Sequence, residues 1–353
     1  MDLAPIIESF AQVGLNVFNK IFGLFASPSS SVSVWSLSLA LLIAAAHTTR
    51  TRWFAKRPVS WSVIRRALFP RRLYRSASTR ADVLFLVFNT GCSGLLFGWA
   101  LVSMHFVSNA AANGLTNAFG VMPATGLSVF WSSVILTIVV FLAYDLGYWF
   151  DHYTSHAIPF FWEFHKVHHT AEILSPLTNA RLHPIDGVKF TNILALFMGM
   201  GDGVAHYLLG NGPQEFKLFD QNAIFLAFMY LLVHLQHTHL WIAFTGFWGH
   251  VIVSPAHHQI HHSMNPIHFN KNLGSTLSVW DWMFGTLHLP SKKRETLTFG
   301  VEHSTAEVHT LTGSLLHPVR DAGLVLWRLI ARARSREAQS SVRQSAPSSA
   351  APG

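Results

Sequence analysis

The stretch of sequence that decides the fold is DLGYWFDHYTSHAIPFFWEFHKVHHT, residues 145–170. Its first half continues an apolar run that starts near Leu127. The stretch carries five histidines: His152, His156, His165, His168 and His169. Residues three and four apart share one face of a helix, so these spacings predict helices that present two or three imidazoles in one direction. The stretch therefore predicts a membrane helix that leads into a set of convergent histidines.

The composition of the whole chain agrees with a membrane protein. Half of its 353 residues are hydrophobic, only 12% are charged, and the mean hydropathy is +0.32. Because a soluble domain carries about a quarter charged residues, the composition disfavours an ordinary cytosolic enzyme. The single cysteine, Cys92, excludes an intramolecular disulfide and a thiolate metal cage. The net charge of +8 is localised, so nucleic-acid binding is not expected.

Five apolar segments are candidates for membrane helices, which need about 20 residues to cross the hydrocarbon. They are 32–46, 83–104, 127–148, 188–209 and 223–244. The fourth is interrupted by glycines and Asp202, and the fifth contains three histidines, so both also fit a re-entrant hairpin or helices packed beneath the others. Residues 1–26 lack a basic start and predict an interfacial helix instead of a cleaved signal peptide.

The basic residues indicate the orientation of these segments. Residues 47–80 hold ten of the 25 Lys and Arg residues and no Asp or Glu. The positive-inside rule places this loop in the cytoplasm. The connection 105–123 carries no charged residue, as expected for the opposite side, and the third segment then returns the chain near Asp151. The histidine-rich region is therefore expected at the cytoplasmic face.

Two further histidine groups follow along the chain. HLQHTHL begins at His234, and SPAHHQIHHS begins at Ser254. Neutral imidazole is a good ligand for transition metals, and imidazoles at a membrane boundary are costly to desolvate unless they are paired or bind metal. Eight or more ligands exceed the four of a tetrahedral ion and the six of an octahedral one, so two metal ions are predicted. One H-x-x-x-H alone would be a weak indication.

Together these patterns predict an all-α fold. The expected architecture is an integral membrane bundle of about three to five membrane helices, with a helical cap on the cytoplasmic face that holds a histidine-ligated dimetal site. The expected organisation is an interfacial helix and first span in 1–47, a basic cytoplasmic loop in 48–80, the catalytic membrane domain in 81–300, and a C-terminal helix with a disordered tail in 301–353.

At the histidines the sequence resembles the fatty acid hydroxylase/sterol desaturase superfamily of integral membrane di-iron oxygenases. The family's boxes H-x3-H, H-x2-H-H and H-x2-H-H stand here, in the same order, as His152/His156, His165/His168/His169 and His258/His261/His262. The D-x-x-Y-W lead-in, the H-P step at His183, and the N-x-G, W-D and F-G-T ending between residues 272 and 286 also resemble the family. The resemblance covers about residues 135–290. Asn270 departs from it, since some members carry Asp there.

The resemblance implies a ligand set. The implied metal ligands are His152, His156, His165, His168, His169, His183, His237, His258, His261 and His262. His237 is chosen over His234 and His239 because it stands in an H-T-x-L setting, although this stretch leaves the choice open. Asp145, Asp151 and His257 are expected to hydrogen-bond the ligands; the two carboxylates are alternatively helix-end charges or partners of Lys166.

The resemblance also implies the chemistry. Two iron ions, replaceable by zinc in a purified sample, O2 and electrons from a separate reductase would hydroxylate an unactivated C–H bond of a membrane lipid such as a fatty acyl chain or a sterol. The same boxes suit a lipid desaturase. Alternatives of other classes are a histidine-rich metal-binding or transport protein and a lipid-binding module without catalysis. The bacterial inner membrane is favoured as the location, or the endoplasmic reticulum in a eukaryote.

Overall fold

The computed structural model describes residues 4–30, 32–94, 98–123, 125–210, 212–302 and 306–345. Within these residues the fold is helical apart from a small antiparallel hairpin, β1 (Lys217–Leu218) and β2 (Gln221–Asn222). The α-helices are, in chain order, α1 (Ala4–Ala26), α2 (Val34–Phe54), α3 (Trp61–Leu68), α4 (Arg71–Arg75), α5 (Ala77–Phe88), α6 (Met104–Phe119), α7 (Val129–Ala157), α8 (Pro159–His169), α9 (Pro184–Leu209), α10 (Ala223–Phe228), α11 (His234–Gln236), α12 (Phe247–Val251), α13 (Pro255–His261), α14 (Val279–Met283) and α15 (Leu311–Ser345). The all-α prediction is confirmed.

Shorter helical turns of other types connect these helices. Residues Asn89–Ser93 and Met229–Val233 form π-helical turns, the second joining α10 to α11. Turns of 3₁₀ type cover Gly98–Ala100, Pro176–Ala180, Pro266–His268 and Ala306–His309.

Helix α7 is the long apolar helix that carries the first histidine box. It begins at the N-cap Ser128, whose hydroxyl accepts a hydrogen bond from the Trp131 N–H, and it runs through an apolar stretch to the first histidine box. Within the described residues it is the helix that is long and apolar enough to cross a membrane. It ends just before Pro159, because the residue preceding a proline is disfavoured in helical conformation, and that proline begins α8.

Helix α9 packs against both α7 and α6 through glycines. A β-carbon at Gly199 would lie 2.6 Å from the Val107 Cβ of α6, and one at Gly201 would lie 2.7 Å from the Ala143 Cβ of α7. A β-carbon at Gly203 would collide with the Ser108 carbonyl oxygen. The glycines that interrupt the fourth predicted segment therefore do not break the helix. They let three helices approach closely, as small residues do in membrane bundles.

Three sequence predictions about secondary structure differ from the structure. The segment 83–104 is not one helix, because α5 ends at Phe88 and residues Asn89–Ser93 form the π-helical turn. The uncharged connection 105–123 contains α6. The tail expected to be disordered from Arg334 continues α15 to Ser345, since its Arg, Glu and Gln residues favour helix, and residues 346–353 lie outside the described part.

A buried ion pair fixes α5 to the chain that follows the second histidine box. The Arg181 Nε lies 2.7 Å from an Asp82 oxygen, and both side chains are fully buried. The same guanidinium donates to the Thr170 hydroxyl at 3.0 Å and to the Ser78 carbonyl. This arrangement anchors the residue directly after His169, and so it positions the end of α8.

Candidate metal centre

Nine of the ten predicted ligands form two adjacent groups. The five-histidine group consists of His152, His156, His165, His169 and His261, and the four-histidine group consists of His168, His237, His258 and His262. In each group, one ring nitrogen per residue lies within 4.8 Å of every other. The His169 and His262 rings stack across the boundary with centroids 4.6 Å apart, so the two groups are neighbours.

Helix geometry explains how the boxes divide. His165 and His169 are four residues apart on α8 and enter the same group, and so do His258 and His262 at the end of α13. The intervening residues His168 and His261 point to the other group. Residues i and i+4 share a helix face, whereas adjacent residues, such as His168 and His169 or His261 and His262, point in different directions. Each H-x2-H-H box therefore supplies both groups.

In the five-histidine group the Nε2 atoms have no hydrogen-bond partner among the described residues, and backbone carbonyls hold the Nδ1 side of two of the rings. The Nε2 atoms of all five rings are buried and have no hydrogen-bond partner within the described structure. The Nδ1 atom of His152 lies 2.7 Å from the Leu273 carbonyl oxygen, and that of His261 lies 2.9 Å from the Lys271 carbonyl oxygen. Since a carbonyl only accepts, both Nδ1 atoms carry the hydrogen and both Nε2 lone pairs face the centre.

His165 has the carboxylate partner of this group. Its Nδ1 lies 2.9 Å from an oxygen of Asp186, which is buried at the start of α9. The Lys189 ammonium lies 2.9 Å from Asp151 and 3.9 Å from Asp186, so the three charges form one buried network beside the histidines. Asp186 thus makes the hydrogen bond to a ligand that was expected of Asp145 and Asp151. Its position three residues after His183, in the H-P step, could have indicated this role.

The four-histidine group brings its Nε2 atoms into direct contact. The His237 Nε2 lies 3.1 Å from that of His168, 3.1 Å from that of His262 and 2.8 Å from that of His258. One Nε2 carries one hydrogen or one lone pair, so hydrogen bonds cannot satisfy three such contacts. Four nitrogens around a tetrahedral ion at about 2.0–2.1 Å lie about 3.3 Å apart. The group therefore fits a metal ion better than it fits a hydrogen-bond network.

Burial favours the neutral form of four of these imidazoles. It lowers the pKa of His261 to about 3, and it holds the pKa of His168, His258 and His262 well below 6.5, with neighbouring imidazoles adding to the effect. A neutral ring offers the lone pair that a metal needs. The donor set, all nitrogen, suits iron, zinc, copper or nickel.

The remaining predicted ligand lies elsewhere. His183 is the N-cap of α9, where its Nδ1 accepts the Ile185 N–H at 3.2 Å and its Nε2 lies 3.1 Å from the Leu315 carbonyl oxygen. The backbone thus occupies both ring nitrogens, and the position does not support a ligand role. Among the three candidates near residue 237, the structure brings only His237 into a group, because His234 contacts Ser36 and His239 contacts the Ala67 carbonyl.

The predicted supporting residues also differ from the expectation. Within the described residues, Asp145, Asp151 and His257 make no hydrogen bond or ion pair with the nine rings. Asp145 accepts from the Thr276 and Leu277 N–H groups and from the Trp280 indole. Asp151 pairs with Lys189, and the His257 ring packs into a capping box with Ser254.

Asp145 nevertheless acts on the site through a loop. Together with Asp281, which accepts the Leu273 and Gly274 N–H groups at 2.8 Å, it fixes the segment 271–286. Carbonyl oxygens of this segment hold the Nδ1 hydrogens of His152 and His261. Spacing along the sequence could not indicate backbone carbonyls, so this support was missed.

Comparison with known proteins shows which part of the chain has relatives. Residues 137–286 match the sequence model of the family described as fatty acid hydroxylase. The chain is 28% identical to alkylglycerol monooxygenase of Danio rerio over 176 residues, 49% of this chain and 34% of the relative. It is 30% identical to the Caenorhabditis elegans alkylglycerol monooxygenase over 159 residues, 44% of this chain and 28% of the relative.

A bacterial relative matches over a similar segment. The chain is 26% identical to ornithine lipid hydroxylase OlsE of Rhizobium tropici over 166 residues, 47% of this chain and 46% of the relative. The matched segment thus spans less than half the length of these curated relatives, and no solved structure matches significantly. The segment 137–286, which contains all nine clustered histidines, is the part of the chain that matches the fatty acid hydroxylase family.

Proposed function

We propose that this protein is an O2-dependent hydroxylase of a membrane lipid, with one metal ion held by each histidine group. The observation that carries the proposal is the convergence of nine imidazoles, seven buried and two half-buried, into two adjacent groups without hydrogen-bond partners for the five Nε2 atoms of the larger group. The family match over residues 137–286 and the names of the relatives, which are lipid monooxygenases and hydroxylases, support the same reaction class.

A pair of iron ions at these positions would supply the activation of O2 for attack on an unactivated C–H bond. The residues of this chain orient the ligands. Asp186 holds the hydrogen on the His165 Nδ1, and the Leu273 and Lys271 carbonyls do the same for His152 and His261. Asp and Glu side chains are not needed as an acid–base pair for this chemistry. The two electrons would come from a separate reductase protein.

A cavity of about 390 Å³ opens onto both groups. His156, His169 and His261 of the five-histidine group and His262 of the four-histidine group line it. The other lining residues include the apolar Trp162, Met264, Phe269 and Val301 and the polar Ser263, Asn270 and Glu302. An apolar wall excludes water from the reacting atoms and accepts a hydrocarbon chain. We place the reacting carbon of the lipid in this cavity.

A second cavity, of about 540 Å³ and almost entirely apolar, lies between α2, α5 and the residues that flank His237. Leu41 of α2 and Val83 of α5 are among its lining residues. Its volume and lining also suit a lipid chain. The two cavities are distinguished by blocking each with a bulky side chain.

Exposed apolar stripes support a membrane location. Leu196, Met200, Val204 and Leu208 recur every fourth residue on α9 and are exposed, on the side of the helix away from its buried glycines. Helix α7 exposes Phe130, Trp131 and Ile138 in the same way. Contiguous apolar surface of this kind marks contact with lipid or with another protein. We propose that the basic residues of 47–80 place the histidine groups on the cytoplasmic side.

The test is a comparison of lipids in cells that express the wild-type chain, His168→Ala or no protein. Lipids that gain one oxygen atom only with the wild-type chain support a hydroxylase, and lipids that lose two hydrogens support the desaturase alternative. Unchanged lipids together with metal accumulation in the cells would favour a metal-binding or transport protein.

Two variants decide between the cavities. Val301→Trp, which blocks the cavity beside the histidine groups, should abolish the lipid product, and Leu41→Trp, which blocks the larger cavity, should retain it. The reverse pattern places the substrate in the larger cavity.

A further inference from the structure

A third set of metal-ligating side chains lies outside the two histidine groups. It consists of His268 in the turn Pro266–His268, His288 after α14, and Glu295 in the segment that follows. One ligating atom from each lies within 4.8 Å of the others. The two imidazole rings meet edge to face with centroids 4.8 Å apart, and the His268 Nε2 lies 3.8 Å from a Glu295 oxygen.

A buried ring nitrogen of His268 indicates a ligand at this set of side chains. Its side chain is only 2% exposed, and its Nδ1 is buried without a hydrogen-bond partner in the described residues. The His268 Nε2 lies 3.8 Å from Glu295, which is too long for a hydrogen bond, so that carboxylate does not satisfy the ring. Buried polar groups are nearly always satisfied, and an exception indicates a bound water or ion.

The types of the ligand atoms decide between a bound water and a bound ion. Two imidazoles and one carboxylate are the three protein ligands of a common zinc site, with water as the fourth ligand. We propose that His268, His288 and Glu295 bind a third divalent transition-metal ion, for which zinc is the expected occupant because such sites bind zinc more tightly than ferrous iron. The site shares no residue with the two histidine groups.

The position of this site suggests what the ion does. His268 and His288 stand at the two ends of the segment whose Lys271 and Leu273 carbonyls orient His261 and His152. The Asn272 side chain already bonds the His288 backbone, accepting from its N–H at 2.7 Å and donating to its carbonyl at 2.9 Å. An ion bound by His268 and His288 would link the two ends of this segment. Binding of the ion to the folded chain stabilises it.

The test counts metal ions. Tag-free wild-type protein in detergent is equilibrated with Zn²⁺, freed of weakly bound metal and analysed for zinc per chain, alongside His288→Gln and Glu295→Gln. We expect both variants to bind one zinc fewer than the wild type. The matched control is His317→Gln, which removes a surface histidine 3.3 Å from Glu307 without a second imidazole and should keep the wild-type count.

A second measurement guards against a variant that misfolds. Zn²⁺ should raise the melting temperature of His317→Gln and wild type more than that of Glu295→Gln, whose partly exposed side chain can change without loss of the fold. Equal zinc counts in wild type and both variants, or equal shifts, overturn the proposal. The result is independent of the enzymatic proposal, because the loss is from three ions to two if the histidine groups bind metal and from one to none if they do not.

Discussion

At the residue scale, the side chains that build the two histidine groups differ in how they are held. His152, His165 and His261 each have the Nδ1 hydrogen fixed by an oxygen, whereas the Nδ1 atoms of His237 and His258 have no partner in the described residues. A fixed Nδ1 hydrogen sets both the tautomer and the ring orientation. The five-histidine group is therefore preorganised to a degree that the four-histidine group is not.

Removing one histidine from either group should remove one metal ion. His261→Ala takes a ligand from the five-histidine group and His168→Ala takes one from the four-histidine group, so each variant should bind one ion fewer than wild type and lose lipid oxidation while remaining in the membrane. Metal analysis and an O2-consumption assay check this. His250→Ala, outside both groups, is the control. Full activity in either group variant would contradict the ligand assignment.

Asp186 offers a subtler prediction at the same scale. Asp186→Ala leaves the His165 Nδ1 hydrogen without its acceptor, and loss of such a partner weakens metal binding about 10- to 100-fold. Titration of the metal-free protein with Zn²⁺ measures the change. Asp321→Ala removes a carboxylate that contacts Lys166 instead, and it should leave the affinity unaltered. Equal affinities for Asp186→Ala and wild type would show that the carboxylate does not support the site.

At the scale of elements, the close packing of α9 decides where the histidines lie. Helix α9 carries Asp186 and Lys189 at one end and packs its glycines against α6 and α7 along its length. The Ser108 hydroxyl donates to Asp202 at 2.6 Å, which fixes the rotation of α9 against α6. The element that seemed interrupted in the sequence is thus the one that aligns the carboxylate with α8.

Gly203→Ala tests this packing. The added β-carbon would collide with the Ser108 carbonyl oxygen and push α9 away from α6, at a cost of about 1–3 kcal/mol in the free energy of unfolding. Gly114→Ala, in the middle of α6 with open space around it, should leave stability unchanged or raise it by up to about 1 kcal/mol. Thermal unfolding in detergent compares the two. A melting temperature lowered equally in both variants would refute a specific contact at Gly203.

At the scale of the whole molecule, burial of the imidazole groups makes stability depend on pH. The histidines titrate near 6.5 in the unfolded chain, but burial lowers the pKa of His261 to about 3 in the folded protein. Below pH 6.5 the imidazole of the unfolded chain therefore binds a proton that the same imidazole does not bind in the folded protein. The free energy of unfolding falls as the pH drops from 6.5 towards 3, by up to about 1.4 kcal/mol per pH unit for each such residue.

This dependence is measured on the metal-free protein. Its melting temperature should decrease steadily between pH 7 and pH 5, and His261→Gln should show a shallower decrease because one contributing imidazole is absent. The comparison of slopes, not of absolute melting temperatures, carries the prediction. Identical slopes for His261→Gln and the wild type would contradict it.

The sequence by itself indicated which histidines come together in this protein. Nine of the ten histidines chosen as ligands lie in the two groups, since helical spacing of three and four residues is a local property that the chain order states directly. It also determined the helical class, because apolar periodicity does not depend on distant contacts.

Only the tertiary structure decided which histidines share a group and what holds them. The partners of His152, His165 and His261 are the Leu273 carbonyl, Asp186 and the Lys271 carbonyl. Two of these are backbone oxygens, which every residue has and no motif marks. The positions of His183 and Asp145 differed from prediction for the same reason: hydrogen bonds form between groups that folding brings together, and separation in sequence does not measure distance in space.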